Sequence, residues 1–350
     1  MESIVSVIIP TYKGAGNLAR AVDSVLAQTH KPVEVIVVDD NAPDSDGRRD
    51  SEAVMKNYLH HKNVKYIKHT RNKSGAAARN SGISVSSGNF FCFLEDNDFY
   101  LPERIERSVA LLEDNPDYDG VYCGVVITNS TNFDSIVKPE IPLEQKDLLL
   151  KDVSLGTGSN LFLSRKAVNF VAGFDETFFR HQDIEFMLRI LGNFKVINLD
   201  EILIVNAANG INNLPDYTEL RKVKELFMLK FEQAIERLEP DEKRGFFIRQ
   251  YEDLFHAALK TGKKEYIHQS LQEVKLFRNI SLKDRMLVSI SERRLSKIKL
   301  YKTLRPVYDN SKKRALSYRL QKHLDPSAKE YIFNLLRRVE THAGTEKVHF

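Results

Sequence analysis

The sequence predicts an α/β protein: a mostly parallel sheet flanked by helices, followed by a smaller all-helical C-terminal domain. Through the first two hundred residues, short β-rich runs alternate with stretches of helical periodicity. Parallel strands joined by crossover helices produce that alternation. After Asn206-Ala207-Ala208-Asn209-Gly210 the pattern is helical almost throughout. Three of the early runs also end in polar groups: Pro10-Thr11-Tyr12, Asp39-Asp40 and Glu95-Asp96-Asn97-Asp98. Open parallel sheets bind ligands at the carboxyl ends of their strands, so agreement at three ends points to one shared site.

The elements follow in order. Ser3–Pro10 (SIVSVIIP) is β-branched and suits a buried strand. Asn17–Gln28 places Leu18, Val22, Val25 and Leu26 at helical spacing. Val33–Val38 (VEVIVV) is a second strand, Asp50–His60 a helix and Val64–His69 (VKYIKH) a third strand. Gly75–Ser86 reads as a helix entered through glycine, and Asn89–Leu94 (NFFCFL) as a fourth strand running into the acidic cluster. A helix starts near Gln182, with Ile184, Met187, Leu188 and Leu191 on its buried face. Tyr217–Leu238, Gly245–Lys260, Lys264–Phe277 and Leu282–Leu300 form the helical series. The expected domains are 1–210 and 211–350.

Composition narrows the class. At 42% hydrophobic and 29% charged residues the chain is not disordered as a whole. Two cysteines, Cys92 and Cys123, exclude a disulfide scaffold and a Cys-rich zinc site. No apolar run reaches the roughly 18 residues of a membrane span. Met1-Glu2-Ser3 leads into no signal-like segment, so the expected location is cytoplasmic. Charge is uneven: Lys283–Arg338 carries 16 Lys/Arg against 5 Asp/Glu, a balance of +11, leaving −7 for the rest of a chain whose net charge is +4. That excess implies an anionic partner for the C-terminal end.

The cluster FLEDNDFYLP (Phe93–Pro102) ends an apolar strand with three carboxylates and an amide. Their repulsion is relieved by a divalent cation with hard oxygen ligands, Mg²⁺ or Mn²⁺, completed by phosphates. A solvated acidic turn or a set of helix caps explains the same residues.

Taken together, these segments resemble family 2 glycosyltransferases. VSVIIPTYKGAGNLARAVDSVLAQTHKPVEVIVVDDNAPD resembles the N-terminus of that family, GAAARNSG (Gly75–Gly82) its Ala-Arg-Asn segment, and Phe93–Pro102 its metal-binding acidic motif. The likeness covers about residues 3–210. It implies a Rossmann-like fold of the GT-A type and a nucleotide-diphosphate-sugar donor. Pro10, Thr11, Tyr12, Asp39, Asp40, Ala76 and Arg79 are then expected at the nucleotide, and Glu95, Asp96, Asn97 and Asp98 at the metal. Asn97 departs from the family, which places Asp there; a neutral carbonyl is a weaker ligand. For Asp39-Asp40 a turn with Asn41, Pro43 and Gly47 remains an alternative, and Arg79 fits a solvent-facing helix position equally well.

The resemblance also makes Asp183 the base that takes a proton from the acceptor hydroxyl. Gln182 stands where the family usually has Glu. Asp183 fits a carboxylate at a helix N-terminus as well. Gly158, Ser159, His181 and Gln182 are expected near the donor or acceptor sugar, although His181 also suits an exposed loop. The implied reaction is an inverting sugar transfer to a glycan or lipid-linked acceptor, in cell-surface polysaccharide synthesis. Asn97 and Gln182 leave open a sugar-nucleotide-binding or scaffold protein of the same fold that has lost catalysis. The Ala-Arg-Asn segment argues against a nucleotidyltransferase. The basic helices from Leu282 onward suit peripheral contact with an anionic membrane, or an ordinary helical domain with a solvated basic face. No nucleic-acid-binding motif accompanies their charge.

Overall fold

The computed structural model describes residues 3–129, 132–139, 141–207 and 216–292. They divide into two compact units. One contains the chain up to Glu144 together with the stretch from Val153 to Ala207. The other contains Gln145–Asp152 together with the helices from Tyr217 onward.

The strands of the first unit are β1 (Val5–Thr11), β2 (Val33–Asp39), β3 (Val64–Lys68), β4 (Phe90–Phe93), β5 (Asp98–Tyr100), β6 (Gly120–Asn129), β7 (Asn132–Val137), β8 (Leu161–Ser164) and β9 (Val196–Ala207). They form one nine-stranded sheet in the order β3-β2-β1-β4-β8-β6-β9-β5, with β7 paired to β6. The first four strands are parallel. β8 runs antiparallel to both β4 and β6, β6 and β9 are parallel, and β5 closes the edge antiparallel to β9. β1 and β2 are buried along nearly their whole length, and α1 (Ala15–Leu26) and α3 (Gly75–Val85) pack against both. Each fully buried Val or Ile there contributes about 1.5–3 kcal/mol.

Among the described residues the helices are α1 (Ala15–Leu26), α2 (Asp46–Met55), α3 (Gly75–Val85), α4 (Arg104–Asp114), α5 (Gln145–Leu150), α6 (Arg165–Phe170), α7 (Gln182–Leu191), α8 (Tyr217–Lys230), α9 (Glu232–Glu236), α10 (Pro240–Thr261), α11 (Lys264–Lys275) and α12 (Leu282–Glu292). α1 buries Leu18, Ala21, Val22 and Val25 as its spacing requires. α2 starts earlier than the sequence pattern suggests, because the Ser45 hydroxyl accepts from Arg48 N–H and caps it. Register places Thr11 opposite Asp39 and Ile8 opposite Phe93. The carboxyl ends of β1, β2 and β4 therefore lie side by side.

In the second unit, α8, α10 and α11 pack around Tyr217, Leu254, Phe255, Ala258, Ile267 and Val274. α5 belongs to this unit although it lies within the sequence range expected for the first domain. Lys151 and the buried Lys224 share the Asp253 carboxylate at 3.1 and 2.8 Å. Among the described residues no helix is long and apolar enough to cross a membrane. Most of the basic C-terminal stretch, from residue 293 on, lies outside the described residues.

Candidate active site

The loop after β4 is clamped from several sides. Leu94 N–H donates to Ile8 O at 2.9 Å, keeping the loop alongside β1. Glu95 N–H donates to the Ser159 hydroxyl at 2.9 Å, and Arg20 Nη2 donates to Asn97 O at 2.8 Å. Asp96 Oδ2 accepts from Thr11 Oγ1 at 2.6 Å, and Asp96 also accepts from the Tyr12 N–H. At Gly14 a Cβ would lie 1.9 Å from Asp96 Oδ2, so any side chain there displaces the Asp96 carboxylate.

Glu95 and Asp96 stay partly exposed. Burial pushes the Glu95 carboxyl above its ordinary range; Arg79 opposes the rise, while Asp183 and Asp96 add to it. Burial likewise raises Asp96, against the hydrogen bonds from Thr11 and Tyr12. These are like charges crowded in a poorly solvated place, as the sequence pattern suggests.

Asp98 differs from its neighbours. It opens β5 and is fully buried, and its Oδ2 accepts from Thr157 Oγ1 at 2.5 Å and Ser159 Oγ at 2.6 Å. Burial, then repulsion from Glu95, pushes its carboxyl up to about 8, with Ser159, Thr157 and Arg20 pulling the other way. Asp98, expected as a metal ligand, is thus buried beneath the acidic loop, with its Oδ2 taken by Thr157 and Ser159 and its Oδ1 without a hydrogen-bond partner. Ser159, expected at a sugar, is fully buried and spends its hydroxyl on Asp98 and on Glu95 N–H.

Arg79 is 8% exposed, which excludes a solvent-facing position. Its Nη2 lies 3.5 Å from Glu95 Oε1, its Nη1 donates to Gln182 Oε1 at 2.9 Å, and its guanidinium lies over the Phe174 ring at 5.3 Å. The neighbouring Asn80 bonds both the N–H and the carbonyl of Phe174, at 2.8 and 2.9 Å. α3 thus grips the segment that leads into α7.

Asp183 lies in the first turn of α7, after His181 in a left-handed conformation (φ 57°). Buried Glu185 pairs with Arg189, whose Nη1 and Nη2 also donate to Val171 O (2.6 Å) and Gly173 O (2.8 Å). That pair fixes the helix to the turn before it. Gly158 lies between the two site carboxylates: a Cβ there would be 2.8 Å from Glu95 Oε1 and 3.6 Å from Asp183 Cβ. His181 is exposed beside them in sequence.

The nucleotide expectations divide. Tyr12 is half-exposed next to Asp96, and Pro10 is partly exposed on β1. Thr11 is buried and donates to Asp96, and Ala76 is buried in α3. Asp39 Oδ2 takes Arg48 Nε at 2.9 Å and the Tyr66 hydroxyl at 2.5 Å, and its Oδ1 takes Asn41 N and Nδ2 at 2.9 and 2.8 Å. Asp40 Oδ1 accepts from Lys73 N at 2.8 Å and contacts His69 Nδ1 at 2.7 Å; its Oδ2 accepts from Asn72 Nδ2 at 2.9 Å and Ser74 N at 3.0 Å. A carboxylate has about four lone-pair sites. Asp40 thus has four partners, and Asp39 accepts three hydrogen bonds beside its ion pair with Arg48, so both acids carry structural contacts at the strand end. Asp40 instead shapes the entry to α3, where Ser74 sits at φ 102°.

Sequence reasoning missed His69. Its Nε2 lies 2.8 Å from Ser81 Oγ, so one buried imidazole ties Asp40 to the middle of α3. A single His after a strand gives no signal of this. Arg20 was also missed, although a charged residue among the buried positions of α1 is a signal in itself.

For the implied divalent cation, no three His, Cys, Asp or Glu side chains among the described residues converge as a closed cage requires. Glu95, Asp96 and Asn97 fit the other kind of site, in which one or two carboxylates share the ion with phosphate oxygens.

A family model for glycosyl transferase family 2 matches residues 6–172. An uncharacterized glycosyltransferase of Rickettsia prowazekii is 30% identical over 231 residues, 62% of this chain and 70% of that protein. Against relatives in R. felis, R. conorii and R. bellii the chain spans only 29–34% of their length. S. aureus TarS 1-349 in complex with UDP-GlcNAc superposes with TM-score 0.54 at 14% identity, covering 84% of this chain and 92% of that one. The mannosyltransferase PcManGT from Pyrobaculum calidifontis, in complex with GDP-Man and Mn²⁺, gives 0.50 at 17%, covering 87% and 83%. At such identities the structural likeness speaks for the fold, which is of the GT-A type. Sequence relatives and fold together show that the chain belongs to glycosyl transferase family 2.

Proposed function

We propose that the chain is an inverting glycosyltransferase that moves a sugar from a nucleotide-diphosphate donor to a hydroxyl of a glycan or lipid-linked acceptor, in cell-surface polysaccharide synthesis. One observation carries the reading: Asp183 stands across Gly158 from the Glu95 carboxylate, beside a buried Arg79. An acceptor hydroxyl is a poor nucleophile at neutral pH. Asp183 removes its proton as the oxygen attacks the sugar's anomeric carbon and the bond from that carbon to the diphosphate breaks. A single displacement inverts the carbon and needs no covalent enzyme intermediate. Arg79 and the exposed Lys13, Arg71 and Lys73 supply positive charge near the strand ends for the leaving diphosphate. A divalent cation (Mn²⁺ or Mg²⁺) held by Glu95, Asp96 and Asn97 would add to that charge. The donors named for TarS and PcManGT, UDP-GlcNAc and GDP-Man, support the nucleotide-sugar class without choosing the base or the sugar.

The test is thermal-shift and calorimetric screening of UDP, GDP and their sugars, with and without Mn²⁺. A bound nucleotide raises the melting temperature. Absence of binding to every nucleotide removes the reading, and binding with no donor turnover favours the non-catalytic alternative.

Peripheral membrane contact remains part of the proposal. α12 exposes Leu282 and Met286 beside exposed Lys283 and Arg285. Co-sedimentation with anionic vesicles at low salt is the expected result, and none at any salt removes it.

A further inference from the structure

The loop that leads into α7 turns one phenylalanine into the core and the next one out. Phe178 is fully buried, whereas Phe179 is 75% exposed. A single exposed apolar side chain means little by itself. Here its position gives it meaning. Phe179 stands four residues before Asp183, a stretch of chain that spans at most about 14 Å when fully extended. The loop is not extended, because Gln182 Nε2 reaches back to donate to Phe178 O at 2.7 Å and draws its two ends together.

The loop is also held from several sides. Phe178 N–H donates to Asp175 O at 3.2 Å, and the Thr177 N–H and hydroxyl donate to Asp175 Oδ1 at 2.9 and 2.6 Å. Asn80 Nδ2, on α3, donates to Phe174 O and to Glu176 Oε1, both at 2.9 Å. Beyond the loop, Glu185 N–H donates to His181 O at 2.8 Å as α7 begins. His181 keeps a left-handed backbone, which is uncommon for a residue with a side chain. Phe179 is therefore an apolar ring carried on a fixed frame, in solvent, a few residues from the carboxylate assigned to the acceptor hydroxyl.

A sugar ring suits such a surface. One face of a pyranose presents several weakly positive C–H groups, and the face of an aromatic ring is negative. Stacking the two removes apolar area of both from water and leaves the hydroxyls free at the sugar's edge. A ring already held in place loses little freedom on binding.

We propose that Phe179 is an acceptor-binding residue whose ring is the platform for a sugar unit of the acceptor. The hydroxyl presented to Asp183 then belongs to that unit or to the one next to it. The inference rests on the glycosyltransferase reading above. It narrows the acceptor to one that carries a sugar at its reacting end, as opposed to a bare lipid phosphate.

The chain has no tryptophan, so Phe179→Trp places a single indole fluorophore at the platform. The probes are methyl glycosides of glucose, galactose, mannose and N-acetylglucosamine, with maltose, cellobiose and lactose. Two quantities are read: the indole emission with UDP or GDP bound, and the nucleoside diphosphate release that each sugar adds to hydrolysis of the donor. At least one sugar should shift the emission and stimulate wild-type protein. Phe179→Ala and Phe179→Leu should need about tenfold more of that sugar for half-maximal stimulation, and Phe179→Tyr no more than about twofold. Nucleotide affinity should stay near wild type in all of them, which shows that the site is folded. Wild-type sugar dependence in Phe179→Leu overturns the inference in favour of a lipid chain, which needs apolarity and no ring. Unchanged dependence in Phe179→Ala also overturns it, as does a loss of nucleotide affinity that matches the loss for sugar. A panel that neither stimulates wild type nor alters the indole emission, while nucleotide still binds, removes this inference and leaves the functional reading standing. Wild-type protein that binds neither UDP nor GDP removes the functional reading itself.

Discussion

Arg79 Nη2, carried by α3, lies 3.5 Å from Glu95 Oε1 in the loop that ends β4. The contact joins the Ala-Arg-Asn segment to the acidic motif. Through Gln182 the same guanidinium reaches the residue before Asp183. Segments far apart in sequence thus act on one another through a single buried cation, and the variants below probe the parts around it.

Gly14→Ala tests the close approach of α1 to the acidic loop. The added methyl meets Asp96 Oδ2 at 1.9 Å, so Asp96 must leave Thr11. Overpacking of this kind costs about 1–3 kcal/mol. A lower denaturant midpoint with weaker cation-dependent nucleotide binding is expected. Unchanged values mean the loop is softer than its contacts imply.

His69→Ala takes one of its partners from Asp40 and the imidazole contact from Ser81. Such a loss costs about 1–3 kcal/mol. The entry to α3 loosens first, because Asp40 also holds the Lys73 and Ser74 amides. Hydrogen exchange at those two amides is expected to accelerate more than in the core of β1. Uniform acceleration across the domain contradicts a local role.

Asp98→Asn tests the buried carboxyl. In the folded protein the Asp98 carboxyl is raised from 3.8 to about 8. The neutral acid is therefore favoured in the folded state. That stability is fully present below the unfolded value and is lost as pH rises through about 8. Between those limits the wild type should lose melting temperature with rising pH faster than Asp98→Asn. Parallel curves would show that Asp98 is ionised in the fold.

Asn97→Asp restores a carboxylate at the position where the resemblance expects one. With nucleoside diphosphate present, Mn²⁺ affinity is expected to rise about tenfold, since a charged ligand replaces a neutral carbonyl. Titration followed by manganese paramagnetic resonance measures it. No change places the cation away from Asn97.

The β-branched runs of β1 and β2, the acidic end of β4 and the start of α7 were legible because each depends on local pattern. Which acid faces inward was not. Asp98 is buried because it opens a short strand paired with β9, and nothing in Glu-Asp-Asn-Asp marks that turn. The Asp39-Asp40 pair invited a ligand role because its partners, Arg48, Tyr66, His69 and the Lys73 and Ser74 amides, arrive from distant positions. The structural contacts of Ser159 were hidden for the same reason: Glu95 and Asp98 lie about sixty positions earlier. α5 escaped notice because six residues are too few to establish a helical period.

Release of nucleoside diphosphate from a panel of UDP- and GDP-sugars, by wild type and by Asp183→Asn, tests the proton-abstraction claim most directly. Wild type should release one of the two, and the variant should bind that donor with similar affinity yet turn it over about 10²–10⁴ times more slowly. Equal turnover by the two proteins contradicts the assignment of Asp183 as the base.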